Sequence, residues 1–160
     1  MKILILGAGR VGSSLASTLS TQEYEVSIVD LNKDRLMALQ EDFDLATEIG
    51  HASHPITLQR AGADEDTILL AVTNNDECNI TSCQIAKSKF SVKKTICRLS
   101  DSSYLESLES FGENNIDIAI GPENEVTEHL VDLIKHPGAE QIESFANDSL
   151  KVVSVKAKKD

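Results

Sequence analysis

The sequence lacks a cluster of basic residues, and this absence argues against nucleic acid as a partner. Acidic residues outnumber basic ones by 26 to 15, which gives a formal net charge of −11, and no long run of Lys or Arg is present. A protein that binds DNA or RNA through its phosphates needs a positive surface patch. We therefore exclude DNA and RNA from the expected partners.

The sequence also lacks a hydrophobic segment of membrane-spanning length. Its longest apolar runs, such as Ile3 to Leu6 and Ile68 to Val72, have the length of a core strand, whereas a spanning helix needs about 20 residues. Gly7 ends the first run, and no signal-peptide cleavage pattern follows. We expect a cytoplasmic protein with no direct membrane insertion.

Cysteine is scarce and follows no metal-binding or disulfide pattern. Cys78, Cys83 and Cys97 form neither a C-x-x-C motif nor a zinc-ligand spacing. Cys78 and Cys83 would lie about 140° apart around a helix, so they do not share a face. The pattern predicts reduced thiols that pack in the interior.

What the sequence has is a regular alternation of strand-length and helical segments. Strands are predicted at Ile3 to Leu6, Glu25 to Val29, Leu45 to Ile49, Ile68 to Val72, Thr95 to Leu99 and Ile116 to Ile120. Most are apolar on both faces, which is typical of buried parallel strands with helices on each side. The pattern predicts an α/β fold with a doubly wound parallel sheet.

The carboxyl-terminal part of the chain is predicted to differ. The last predicted helix ends at Pro137-Gly138, which closes a first domain over residues 1–138. The remaining residues, 139–160, contain two predicted strands at 141–145 and 150–157. Because a lone hairpin is marginally stable in water, we expect this β-hairpin tail to dock elsewhere or to begin a second domain.

Three glycines after the first strand have the spacing of a phosphate-binding loop. Gly7, Gly9 and Gly12 form G-x-G-x-x-G between a predicted strand and a predicted helix. The first glycine permits a tight turn, the second lets the backbone approach a pyrophosphate, and the third lets helix and strand pack closely. We predict that the loop Gly7-Ala8-Gly9-Arg10-Val11-Gly12 holds phosphates at the helix terminus; a plain turn is the alternative.

An acidic residue lies where such folds recognise a ribose. Asp30 ends the second predicted strand, close to the usual distance of about 20 residues from the loop. Its carboxylate can accept both ribose hydroxyls and repels a 2′-phosphate, which favours NAD over NADP. Helix capping by Asp30 or Asn32 is the alternative. The motif recognises adenosine and phosphate, which NAD shares with ATP, ADP and AMP, so it does not distinguish among these ligands.

Other charged and polar residues near these motifs are open to two interpretations. Arg10 can pair with an anion at the helix start, or it is an ordinary exposed arginine. His51 and His54 have a spacing that suits a metal pair, but no third ligand cluster is visible, so we predict no metal site. We expect loop or cap histidines, with His51 near the adenine.

The length of the chain bears on catalysis. A dehydrogenase takes its substrate pocket and proton-transfer group largely from outside the nucleotide fold, and almost all of these 160 residues are used by that fold. We therefore predict that the protein is not an enzyme and has no catalytic residues. A small NAD-dependent oxidoreductase, or the cofactor domain of one, is the alternative.

Several stretches together resemble the KTN/RCK family of nucleotide-binding regulators. They are MKILILGAGRVG, Val29-Asp30, Gly50-His51-Ala52-Ser53-His54-Pro55, Ala71 to Asn79, Ile96-Cys97-Arg98-Leu99 and His136-Pro137-Gly138-Ala139. The resemblance implies a Rossmann-like fold and regulation by NAD(H) and adenine nucleotides without turnover. It also implies a cytoplasmic protein that docks on a membrane-embedded potassium-translocating subunit.

The resemblance also assigns residues. It implies that Thr73 and Asn74 contact the nucleotide at the end of the fourth strand and that Arg98 is a further contact. A structural carboxylate beside Arg98 is the alternative, because a charge inside an apolar strand needs a partner. Members of the family continue into an RCK carboxyl-terminal domain, so we expect residues 139–160 to begin one. We expect a homo-oligomer whose interface includes the apolar face over Val126 to Ile134 and the hairpin tail; packing on the chain's own sheet is the alternative.

Overall fold

The computed structural model describes residues 1–22, 24–107, 116–121, 139–145 and 150–155. The chain divides into two compact units, Met1–Gly121 and Pro122–Asp160. The predicted last helix, its apolar face over 126–134 and the boundary at Pro137-Gly138 lie outside the described residues.

Strands and helices alternate through the first unit. They are β1 (Lys2–Leu6), α1 (Arg10–Ser20), β2 (Glu25–Asp30), α2 (Lys33–Asp42), β3 (Ala46–Ile49), α3 (Pro55–Arg60), β4 (Thr67–Ala71), α4 (Asp76–Phe90), β5 (Lys94–Arg98), α5 (Ser102–Ser107) and β6 (Ile118–Ile120). The strands form one sheet in the order β3-β2-β1-β4-β5-β6, and all neighbours are parallel. The predicted doubly wound parallel sheet is confirmed.

The strand order sets the position of the site. The chain builds outward from β1 through β2 to β3, then returns to place β4 on the other side of β1. The loops that leave β1 and β4 therefore diverge to opposite faces and open a crevice at the carboxyl ends of the strands. No described helix has the length and hydropathy to cross a membrane.

Both faces of the sheet are buried, as the apolar strands predicted. Along β1, Leu4 and Leu6 belong to one hydrophobic cluster, and Ile3 and Ile5 belong to the other. Each cluster is closed by helices, because alternate side chains of a strand point to opposite faces. The sheet is therefore the middle layer of three.

The cysteines bear out their predicted packing. All three are free thiols; Cys83 and Cys97 are fully buried, and Cys78 is half-buried. A hydrogen bond with Cys97, together with burial, raises the pKa of Cys83 far above that of an ordinary thiol. Because the thiolate is the reactive form, Cys83 is an inert core residue.

The described part of the second unit is a β-hairpin, as predicted. Two strands, β7 (Ala139–Phe145) and β8 (Leu150–Val155), pair antiparallel with Ile142 opposite Val153 and Phe145 opposite Leu150. The register shifts between Ala139 and Gln141.

Helix α1 packs very closely on the turn that precedes it. A Cβ atom added at Gly12 would lie 1.8 Å from the carbonyl oxygen of Gly7 and 3.4 Å from the side chain of Ile5. No larger residue fits without moving the helix or the turn, so glycine at position 12 is what allows this close approach. This is the packing role predicted for the third glycine of the motif.

The carboxylate of Asp117, the residue before β6, links that strand to β5 and to helix α4. Asp117 accepts hydrogen bonds from the Thr95 amide (2.6 Å), the Thr95 hydroxyl (3.1 Å) and Lys87 Nζ (2.9 Å). The Asp117 amide donates to Thr95 Oγ1 at 3.0 Å. Burial raises the pKa of Asp117, but the Lys87 and Thr95 donors lower it more, so the net pKa lies below that of an ordinary aspartate.

Replacing Gly12 by alanine should destabilise the fold because the new methyl group meets backbone that cannot yield cheaply. We expect the Gly12→Ala variant to lose about 2–4 kcal/mol of unfolding free energy, measured by urea denaturation with an unchanged slope. Gly9→Ala is the control, since a Cβ there meets nothing within 4 Å, and its loss should stay within about 1 kcal/mol. Equal losses in the two variants would contradict this packing role.

Asp117→Asn should cost about 1 kcal/mol at pH 7, because the charge-assisted bond with Lys87 is lost. A carboxylate with a depressed pKa stabilises the fold above its unfolded pKa of about 3.9, and this contribution disappears as the pH falls through the folded pKa. The stability difference between wild type and variant should therefore shrink from pH 6 to pH 3 in denaturation series. Asp44→Asn, which removes a carboxylate at an exposed loop position, is the control, and its stability loss at pH 6 should be smaller than that of Asp117→Asn.

Candidate functional site

Two adjoining cavities occupy the crevice at the carboxyl ends of the strands. Their volumes are about 430 and 400 Å³, and both are lined by the residues Gly7, Asp30, Arg35, Thr73 and Asn74. The first extends to His51 on the β2 and β3 side, and the second extends to Gly9, Arg10, Val11 and Arg98. The structure thus brings most of the predicted site residues to one crevice of ligand size. The predicted site residues Ala8 and Gly12 are buried and line neither cavity.

Gly7 makes the turn at the floor of the crevice. Its φ angle is +102°, which L residues rarely adopt, and its amide donates to Val29 O at 2.7 Å. A Cβ atom at this position would also lie 3.0 Å from the Cα of Thr73. Glycine is therefore required here twice, and the loop after β1 rests directly on the loop after β4.

Gly9 differs from the other two glycines because the fold does not require it. Its backbone is extended, with φ −77° and ψ −169°, and a Cβ would meet nothing within 4 Å. The missing side chain leaves open space where Gly9 lines the cavity, at the start of α1. No side chain caps this helix end, so its amides and the positive end of its dipole are directed to the crevice.

The Asp30 carboxylate is held by two backbone amides. Helix α2 is capped by Asn32, so Asp30 does not have the capping role that was its alternative. Its Oδ2 accepts the Ala8 amide at 2.6 Å, and its Oδ1 accepts the Asn32 amide at 2.7 Å. Asn32 caps α2 by accepting the amides of Asp34 (2.9 Å) and Arg35 (3.1 Å). The Asp30 carboxylate is thereby fixed in orientation, and each oxygen retains a lone pair for a further donor.

Three arginines line the crevice of a strongly acidic chain. Arg10, Arg35 and Arg98 all line the second cavity, and the sequence contains only four arginines. Arg98 is half-buried, and its Nη1 donates to the Thr73 carbonyl at 3.4 Å. The crevice therefore concentrates positive charge on a protein of net charge −11, which favours an anionic ligand.

The two residues after β4 have different surroundings. The Thr73 hydroxyl donates to Asn79 Oδ1 at 2.6 Å and accepts the Asn75 amide at 3.2 Å. Thr73 is thus held within its loop, and it shapes the crevice by position. Asn74 is exposed and lines both cavities, so it is accessible to a ligand in the crevice.

His51 lies at the outer edge of the first cavity with a defined ring orientation. Its Nδ1 accepts the Ser53 amide at 3.4 Å and lies 2.9 Å from Ser53 Oγ. Since a backbone amide only donates, Nδ1 is the acceptor and Nε2 carries the proton of the neutral ring. The His54 ring centroid is 5.0 Å away. Among the described residues no group of three metal-ligating side chains occurs.

The sequence analysis missed Arg35 and Asn79. Arg35 lies on the first turn of α2 and lines both cavities, and Asn79 is fully buried beneath Thr73. Their positions in the sequence could have indicated this role, because both residues follow a predicted strand by a few residues and so lie near the carboxyl edge of the sheet.

Curated relatives match this chain along nearly its whole length. It is 44% identical over 160 residues to the Trk system potassium uptake protein TrkA of Vibrio alginolyticus, and 41% identical over 159 residues to the protein of that name in Halomonas elongata. Each match covers 98% of this chain and 35% of the relative. The chain therefore spans about a third of the length of these relatives.

Solved structures share its fold at low sequence identity. The TrkA-N domain of the inner membrane protein ybaL from Escherichia coli superposes with a TM-score of 0.72 at 20% identity, covering 83% of this chain and 96% of that one. The NAD(P)-binding domain of an exopolyphosphatase-related protein from Archaeoglobus fulgidus gives 0.68 at 20% identity, covering 84% and 97%. The GsuK channel bound to NAD gives 0.67 at 15% identity, covering 91% and 25%.

A family model also matches this chain, and this match identifies its family. The model of the TrkA-N domain matches residues 3–122, which contain the six-stranded sheet except for Lys2 of β1, together with every residue of the crevice described above. This chain belongs to the TrkA-N domain family.

Proposed function

We propose that this chain binds NAD(H) and adenine nucleotides in the crevice and acts as the sensing part of a potassium-uptake regulator. The observation that carries the binding proposal is the open space over Gly9. Neither backbone strain nor packing requires a glycine there, yet its absent side chain leaves an uncapped helix end open to a cavity lined by three arginines. A phosphate group suits this environment in charge and in size.

The two ends of the crevice support different halves of such a ligand. The fixed Asp30 carboxylate, with His51 at the edge, suits a ribose and an adenine. The helix end at Gly9, with Arg10 and Arg98, suits the phosphates. NAD, ATP and ADP all contain both halves, so the proposal covers each of them.

The proposed regulatory role is supported by the curated relatives and by the ligands found in solved structures of similar fold. The curated relatives are potassium uptake proteins, and structures of similar fold include the GsuK channel bound to NAD and a Kef domain in AMP-bound form. We propose a cytoplasmic homo-oligomer, peripheral at the membrane, that gates a potassium-translocating subunit. Ligands that contact two arrangements of the oligomer differently would shift its equilibrium and so its action on that subunit.

Binding without turnover is the part of the proposal that separates a sensor from an oxidoreductase. Titration calorimetry of the purified chain with NADH, NAD⁺, ATP and ADP tests binding. Incubation of the NADH complex with a panel of carbonyl substrates tests hydride transfer. Steady, substrate-dependent oxidation of NADH would overturn the sensor assignment.

Gly9→Ala should weaken nucleotide binding while leaving the fold intact, because the new methyl group occupies the space proposed for phosphate. We expect affinity for ATP and NAD⁺ to fall at least about tenfold, with thermal unfolding close to that of wild type. Ser14→Ala, at an exposed position of the same helix, is the matched control and should change neither quantity. Wild-type affinity in the Gly9 variant would refute the phosphate site.

Asp30→Asn should relax the selection against a 2′-phosphate, since the repelling charge is removed and the side chain keeps its size. We expect the ratio of NADP⁺ to NAD⁺ affinity to rise about tenfold or more. The ratio is the informative measurement, because any loosening of the Ala8 contact weakens both ligands equally. An unchanged ratio would place the ribose away from Asp30.

A further inference from the structure

Asn79 has surroundings unlike those of any other described polar side chain on α4. It lies in the first turn of that helix, is fully buried, and makes four hydrogen bonds to residues outside the helix. Its Oδ1 accepts the Thr73 amide (3.0 Å) and the Thr73 hydroxyl (2.6 Å). Its Nδ2 donates to the carbonyls of Thr73 (3.2 Å) and Arg98 (2.9 Å).

These bonds use the full capacity of a carboxamide. An asparagine side chain has two donors and two acceptor sites, and each is occupied by a group on β4's loop or at the end of β5. Aspartate keeps the acceptors but turns a negative charge toward two carbonyl oxygens, and serine is too short to span both strands. The site therefore selects asparagine by chemistry and by length.

The bonds converge on the arginine side of the crevice. The Thr73 carbonyl accepts from Asn79 Nδ2 and also from Arg98 Nη1. The Arg98 carbonyl accepts the other Nδ2 hydrogen. One buried side chain thus fixes the backbone of Arg98 and the carbonyl on which its guanidinium rests. It also fixes Thr73, whose backbone lies against Gly7.

We propose that Asn79 is the positioning residue of the phosphate end of the crevice: it acts through the Arg98 guanidinium, by holding the backbone of Arg98 and the Thr73 carbonyl to which the guanidinium donates, and makes no contact with ligand. The inference rests on the proposed nucleotide site and adds to it the residue that orients the Arg98 guanidinium. The proposal predicts that a change at Asn79 weakens the binding of ligands with phosphates and leaves the binding of adenosine unchanged. The adenosine end of the crevice depends instead on Asp30 in β2.

The test compares ATP and adenosine on the wild-type chain, Asn79→Ser, Arg98→Ala and the double variant. Asn79→Ser should weaken ATP binding about tenfold, the equivalent of one lost bond to a charged group, and adenosine binding less than twofold. In the Arg98→Ala background the Asn79 change should have little further effect, because both act through one guanidinium. Ser82→Ala removes another buried hydrogen bond of α4, to Cys78 O, and should leave the ATP to adenosine ratio unchanged.

The outcomes separate the two proposals. Failure of the wild-type chain to bind ATP would overturn the proposed function itself. Wild-type binding with additive effects of the two substitutions, or with equal losses for ATP and adenosine, would overturn only the role of Asn79. A measurement on the wild-type chain avoids dependence on variant stability: the Asn79 carboxamide resonances should shift with ATP and stay unchanged with adenosine, and the absence of an ATP shift would refute the inference.

Discussion

The close contact between α1 and the turn after β1 is the constraint on which the crevice depends. Gly12 lies so near the Gly7 carbonyl that a methyl group cannot be inserted, and this contact sets where the helix begins. The helix dipole and the first amides are useful to an anion only if the helix starts at the rim of the crevice. The packing of two glycines inside the fold thus fixes the direction of the electrostatic field outside it.

Charge is distributed against the overall balance of the chain. The net charge of −11 argues against polyanions as partners, yet three of the four arginines line one crevice. Asp30 lines both cavities, and its two carboxylate oxygens accept backbone amides, which fixes the position of its charge. His51 lines only the first cavity, and Arg10 and Arg98 line only the second, an order that suits a ligand whose ribose lies between an adenine and phosphates.

Much of the fold followed from the sequence because its signals are local. Strand and helix periods, the glycine spacing and the acidic residue at the end of β2 are all properties of short segments, and the observed strands begin and end within two residues of the predicted bounds. Arg35 and Asn79 were missed because their roles come from distant neighbours. Asn79 looks like an ordinary polar residue of a helix until β5 is placed beside β4 and the Arg98 carbonyl comes within 2.9 Å.

The sequence by itself determined the parallel sheet, the glycine loop and the choice of Asp30, since each is encoded in the order of neighbouring residues. Only the tertiary structure decided which glycine the fold needs and which it leaves free, because that depends on what a side chain would meet across the sheet. It also decided that Asn32 caps α2 while Asp30 holds the loop. The physical reason is that packing and hydrogen bonding join residues far apart in the chain, and the topology alone sets which of them meet.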